Sequence, residues 1–305
     1  MEHPLRTIVV GIGETETLDP HLEPALRLAA RHDATLYVVH AYWIPDPLLY
    51  PYPEMSAFSP ESTRAVQEAV LGRMEAQVRK LAPDARVELR AVPVPADLAI
   101  IQVAEETNAE LIVVGATRHG KLASALLGTS AQRVVRAASV PVLVIRRPGT
   151  QALRRVLMTT DLSELSSAVY VRALDLVMAM RQEAELELRM LLVVGHDLSS
   201  PPSMRQAVID DLAKRELGEF LRRLPPAAPQ ALGKVRLGNA AHEIVAEAAE
   251  WDADLLVLGT HGRGGVSRFL IGSVAEAVLR RALCDILIIP ATAVTRAGAA
   301  STPGA

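Results

Sequence analysis

The chain has 305 residues, of which half are apolar, 22% charged and 3% aromatic, and its formal net charge is −3. That length favours two domains, at roughly 100–200 residues each, with cores built from Val, Leu, Ile and Ala. No Lys/Arg block stands out, so the footprint of a nucleic-acid binder is missing, and no uncharged apolar stretch of about 18 residues suggests a membrane span.

The first half alternates strands and helices. TIVVG, near the start, is a continuous apolar run of the kind a strand buried on both faces shows. Pro20 to His32 reads as a helix, Ala34 to Ala41 as a strand and Glu61 to Leu81 as a longer helix. Arg86–Val92 (strand), Ala96–Thr107 (helix), Glu110–Gly115 (strand), Thr129–Ala138 (helix) and Pro141–Arg146 (strand) follow. Between them, Tyr42 to Pro60 is a proline-rich aromatic loop, either a plain surface loop or a lid or docking segment. Arg147 to Ala152 reads as a linker.

The second half repeats the series. Its segments are Arg155–Thr160, Ser163–Arg181, Glu185–Val194, Ser203–Arg223, Leu232–Leu237, Ala240–Trp251, Asp254–Gly259, Ser273–Ala282 and Asp285–Pro290. Gly115–Arg146 aligns with Gly259–Pro290 without a gap, ten of the 32 positions being identical, and the register continues upstream to Leu98 and His242. The chain therefore reads as two copies of one α/β domain, 1–147 and 153–290, followed by a tail, 291–305, expected to be disordered. Alternating strands and helices imply a parallel sheet covered on both faces.

The chemical signal lies after the strand DLLVLG. Gly259 and Gly262 are followed, after nine residues, by Gly272 and Ser273 at the start of a helix. A helix N-terminus presents unpaired N–H groups and partial positive charge, both of which a phosphate satisfies. Glycines let the chain approach such a ligand closely, and Ser273 adds a hydroxyl donor. Ligands of open α/β sheets bind outside the carboxyl ends of the strands, where this loop lies. The plainer alternative is a glycine-rich turn with Ser273 as an ordinary cap.

Gly-x2-Gly-x9-Gly-Ser, followed by a helix and a short apolar strand, resembles the ATP-binding pattern of the universal stress protein family. Gly259, Gly262, Gly272 and Ser273 match it position by position, and GTHGRGGVSRFLIGS, ALCDILIIP and VLMTTDLS are similar to the family's text. The resemblance implies two tandem open parallel five-stranded sheets of order 3-2-1-4-5 with helices on both faces, ATP or a related adenine nucleotide as ligand, and usually dimeric assembly. It further implies that Asp161 contacts the nucleoside and that Leu191 passes near the adenine. Asp161 also reads, on its own, as an acidic residue at a helix start with Ser163 as the cap. Arg263 and Arg268 are placed either to reach the phosphates or to face solvent.

The first copy departs from the pattern. Gly115, Gly128 and Thr129 are kept, but Arg118 stands at the second glycine position and Gly13 where the second copy has Asp161. Its site is expected to be degenerate or altered. GATRHGKL falls short of a Walker P-loop, since Leu122 replaces the hydroxyl residue that holds Mg²⁺. The histidines show no metal-ligand spacing, and no Gly-x-Ser-x-Gly or His-Glu-x-x-His is present.

The function expected is that of a non-catalytic ATP-binding stress-response regulator, with Mg²⁺ arriving on the nucleotide and an unidentified protein partner. An ATP-hydrolysing or nucleotidyl-transferring enzyme of the same α/β group is the alternative. The lone Cys284 fits a reducing compartment, and the short apolar run at the start does not suit a signal peptide, so the expected location is the cytoplasm. The final strands, VLVI and ILII, are expected to be edge strands that pair with each other, giving an intramolecular pseudo-dimer, with a homodimer also open.

Overall fold

Continuous apolar runs become strands covered on both faces. The computed structural model describes residues 5–13, 18–42, 60–116, 128–147, 149, 152–182, 185–195, 202–224, 231–260 and 271–294. The chain forms two compact units, Pro4–Gly115 and, apart from three N-terminal residues, Ala116–Ala305. The repeat and the compact units thus divide the chain at different places.

In the first unit the elements are β1 (Thr7–Ile12), α1 (Leu22–His32), β2 (Thr35–Ala41), α2 (Pro60–Leu81), β3 (Val87–Val92), α3 (Ala96–Glu106) and β4 (Leu111–Gly115). The strands run parallel in the order β3-β2-β1-β4. Ile8, Val9 and Val10 are wholly buried; since successive strand residues point to opposite faces, both faces of β1 are covered. Helix α1 packs on β1 and β2 with Leu22, Ala25, Leu26 and Ala29, the one-sided spacing of an amphipathic helix. It ends where Asp33 turns left-handed at φ 51°.

The second unit opens with α4 (Thr129–Ala137) and β5 (Val142–Ile145), both from the first copy. The second copy follows: β6 (Arg155–Thr160), α5 (Glu164–Met180), β7 (Glu187–Val194), α6 (Pro202–Leu212), α7 (Gly218–Arg222), β8 (Ala231–Leu237), α8 (Ala240–Glu250), β9 (Leu255–Gly259), α9 (Ser273–Arg281) and β10 (Asp285–Ile289). The sequence suggests one helix across 203–223, but a π-helical turn at Ala213–Leu217 separates α6 from α7.

The copy's five strands lie in the order β8-β7-β6-β9-β10, all parallel, which is the expected 3-2-1-4-5. The first copy's fifth strand, β5, extends this sheet. It pairs antiparallel with β10 through Val144–Ile286, Leu143–Leu287 and Val142–Ile288. The sheet of this unit is therefore six-stranded and mixed, because two short apolar edges satisfy each other's unpaired N–H and C=O groups. The backbone N–H groups of Arg146 and Arg147 donate to Asp285 Oδ1 at 2.6 and 2.9 Å, and Arg136 bridges α4 to α9 through Glu276 at 2.7 Å.

Residues 291–294, assigned to a disordered tail on sequence, form a helical turn instead. Ala293 N–H donates to Pro290 O at 3.0 Å, and the Thr292 hydroxyl to Ser139 O at 3.1 Å, so this stretch is held by the strand end it follows. Tyr42 lies on the described chain, whereas 43–59 of the proline-rich loop fall outside it. Among the described residues, no helix is long and apolar enough to cross a membrane.

Candidate functional site

The strand order reverses between β6 and β9, so the crevice above their carboxyl ends is where an open α/β sheet takes a ligand. β6 and β9 pair in the register Val156–Leu255, Leu157–Leu256 and Met158–Val257, and Asp161 follows the end of β6 as Thr260 follows the end of β9. Gly259 ends β9. Thr260 N–H donates to Ile289 O at 3.2 Å, tying the chain to β10 as it leaves the sheet.

The segment returns at Gly272, whose N–H donates to Thr260 O at 2.8 Å, and α9 begins at Ser273. Gly272 is the N-cap, with φ −62° and ψ 149°, and no side chain caps the helix. The N–H groups of Ser273, Val274 and Ala275 consequently lack an intrahelical acceptor. Two other helices of the unit start differently: Ser163 caps α5, accepting from Ser166 N–H at 3.2 Å, and Asn239 caps α8, accepting from His242 N–H at 3.1 Å. Ser273 itself is exposed. A Cβ on Gly272 would lie 3.2 Å from Thr260 O, a close approach that favours glycine there.

Asp161 follows β6 directly. Its Oδ1 accepts from Ser163 N–H at 3.1 Å, from Ser163 Oγ at 2.6 Å and from Ser166 Oγ. Leu162 takes the left-handed φ of 63° and donates its N–H to Thr160 Oγ1 at 2.9 Å. The carboxylate is thereby locked to the start of α5 at the edge of the crevice. These contacts match the helix-start reading of Asp161, with Ser163 as the cap.

Leu191 is wholly buried within β7, between Thr159 and Lys234 of the neighbouring strands. Val193, two residues on and so on the same face, is half-buried nearer the carboxyl end; the period-2 rule points to it once the strand's end is known. Gly262, Arg263 and Arg268 lie outside the described residues.

In the first copy, Gly115 closes β4 of the first unit, whereas Gly128 caps α4 of the second, with Thr129 as that helix's first residue. As at Gly272, no side chain caps the helix, and Gly128 N–H donates to Ala116 O at 3.1 Å. A Cβ on Gly128 would stand 4.0 Å from that oxygen, in ordinary contact. Arg118 lies outside the described residues.

Two other polar clusters of the second unit are structural in character. Glu247, almost fully buried, pairs with Arg189 and, at 2.8 Å, with Arg236, while Arg189 stacks 4.1 Å over Trp251. A depression of 520 Å³ lined by Arg154, Arg155, Glu185, Glu187, Asp252 and Asp254 sits at the amino ends of the strands, opposite the crevice. Its charges pair among themselves, Arg155 lying 3.9 Å from Glu187 and 3.8 Å from Asp252.

The family model described as the Universal stress protein family matches residues 4–146 and again 152–290. Universal stress protein Rv2005c of Mycobacterium tuberculosis is 31% identical over 303 residues, covering 92% of this chain and 96% of the relative. A second from that organism, Rv2319c, is 28% identical over 302 residues, with 93% and 99% covered. Among solved structures, a putative universal stress protein from Pseudomonas aeruginosa is similar with a TM-score of 0.68 at 19% identity, 96% of each chain being covered, which is a likeness of fold.

Proposed function

Because the chain belongs to the universal stress protein family, we propose that it is an ATP-binding stress-response regulator whose second copy holds the nucleotide. The observation that carries this reading is the start of α9, opened by a glycine with no side-chain cap at the point where the strand order reverses. Phosphate oxygens accept from the N–H groups of the first turn, aided by the helix dipole, and from the Ser273 hydroxyl. Gly262, Arg263 and Arg268 join this cradle on the strength of the sequence pattern. Asp161 supplies an acceptor for the nucleoside, and Val193, with Leu191 behind it, supplies the apolar wall.

Binding without turnover suits these groups. Asp161 Oδ1 already takes donors from the Ser163 backbone and from two serine hydroxyls, which holds the carboxylate as an oriented acceptor rather than a base. Mg²⁺ travels with the nucleotide, held mainly by phosphates and water. The bound nucleotide then controls conformation or the choice of a protein partner in the cytoplasm.

Isothermal titration with Mg·ATP, followed by analysis of the recovered nucleotide, tests the reading. Saturable binding with ATP recovered intact is expected. No binding at millimolar ATP, or steady release of ADP, overturns it.

A further inference from the structure

The first unit has the same reversal point, between β1 and β4. There two polar side chains just ahead of α1 are buried: Asp19 is 5% exposed and His21 is 7% exposed. His21 Nε2 lies 2.6 Å from Gly11 O, on β1. The other side of the ring lies against β4: a Cβ added to Gly115 would fall 2.4 Å from Nδ1 and 2.7 Å from Cε1. The imidazole therefore bridges the two strands that define the crevice, in space that only a glycine at 115 leaves open.

Asp19 fixes the ring. Its Oδ1 is 2.8 Å from His21 Nδ1, and its Oδ2 accepts from Gly13 N–H at 2.7 Å. Gly13 follows β1 as Asp161 follows β6. A carboxylate six residues later in the chain thus reaches back to the place where this copy lost its own. Asp19 N–H donates to Gln77 Oε1 at 3.4 Å, linking the pair to α2.

Buried ionisable groups persist where their polar atoms are partnered, and here the partners come from β1 and α2 as well as from within the pair. The glycine that frees the ligand's approach in the second copy admits a protein side chain in the first. We propose that the Asp19–His21 pair is an internal occupant of the first crevice, closing it to nucleotide, so that the chain takes up one ATP rather than two. The stoichiometry rests on the reading that the second copy binds ATP; the closure itself does not.

Two measurements on the full chain separate these statements. Diethyl pyrocarbonate labelling, read by mass spectrometry, compares His21 with His242, whose side chain is 71% exposed. A closed crevice slows carbethoxylation of His21 by at least about tenfold relative to His242, because the reagent must await local opening. Equal rates overturn the closure whether or not ATP binds. The Asp19→Ala substitution is expected to release the ring and raise its labelling. Calorimetry with Mg·ATP is expected to give one site in the native chain and none in Gly272→Val. Two sites in the native chain, or one surviving in Gly272→Val, overturn the proposal. No binding to the native chain defeats the nucleotide reading and leaves closure to be decided by the labelling.

Discussion

Replacing Gly272 with valine tests the phosphate cradle most directly. The first carbon of the new side chain would sit 3.2 Å from Thr260 O, tighter than ordinary van der Waals contact, and the oxygen is main-chain and already accepts from Gly272 N–H at 2.8 Å. The helix start must shift, and two further methyl groups project where a phosphate would meet the backbone. A charge-assisted hydrogen bond is worth about 1.5–3 kcal/mol, so displacing two N–H donors costs about 3–6 kcal/mol of binding. At about 1.4 kcal/mol per decade, the ATP affinity should fall by at least about 100-fold. Gly128→Val is the matched control, since its Cβ would stand 4.0 Å from Ala116 O. Calorimetry with Mg·ATP gives the affinities, and thermal melts show whether each variant is folded. Equal losses in the two variants, or a loss confined to Gly128→Val, would rule out a phosphate cradle at Gly272.

Other expectations concern the seam between β5 and β10. Val144 and Ile288 are wholly buried there, and a buried ammonium costs several kcal/mol against a domain stability of about 5–15 kcal/mol. The double substitution Val144→Lys and Ile288→Lys should lower the unfolding midpoint and raise binding of a hydrophobic dye; an unchanged denaturation curve would count against the seam. Asp285→Ala leaves two backbone N–H groups without their acceptor and should cost about 1–3 kcal/mol in urea melts, whereas Asp285→Asn keeps the accepting oxygen and should cost less. Burial pushes the Asp285 carboxyl above its ordinary range, so the folded state holds more protons than the unfolded state between the two values. The native chain should therefore gain stability over Asp285→Asn as pH falls through that window, and a gain as pH rises would contradict the assignment. Burial also pushes the Cys284 thiol up to about 11, so a disulfide reagent at pH 8 should label it slowly until denaturant is added; rapid labelling of the folded chain would show it accessible.

Much of the fold was legible because its signals are local. Runs such as TIVVG, LIVVG and LLVLG mark buried parallel strands, and β1, β4 and β9 fall on them. The pairing of VLVI with ILII was also legible, from short apolar edges without lysine or proline; its antiparallel register was not. The break at Ala213–Leu217 escaped the reading, because its sequence, AKREL, is ordinary helix text and the π turn is not a matter of composition. For the candidate site, spacing located Gly259, Gly272, Ser273 and Asp161 relative to strand ends. Period-2 alternation fixes the face of Leu191 but not its depth, since a shift of two residues keeps the face and moves from the interior of a strand to its mouth. The Asp19–His21 pair was out of reach for another reason. A histidine in the first turn of the helix read at Pro20 to His32 is ordinary, and only its contacts with Gly11 O and Gly115 place it over β1 and β4.

The pairing of Val142 with Ile288 also sets a timetable for synthesis. The two residues are 288 − 142 = 146 positions apart, so at about 5–20 residues per second the ribosome takes roughly 7–30 s to deliver the second after the first. Through that interval the nascent chain carries an apolar β5 without its β10 partner, while helices elsewhere have had ample time to form. A second nascent chain on the same message offers an identical edge at close range, so an edge left open favours joining a neighbour over closing on itself. A pause in translation after the first copy would lengthen that window, and faster decoding of the second copy would shorten it.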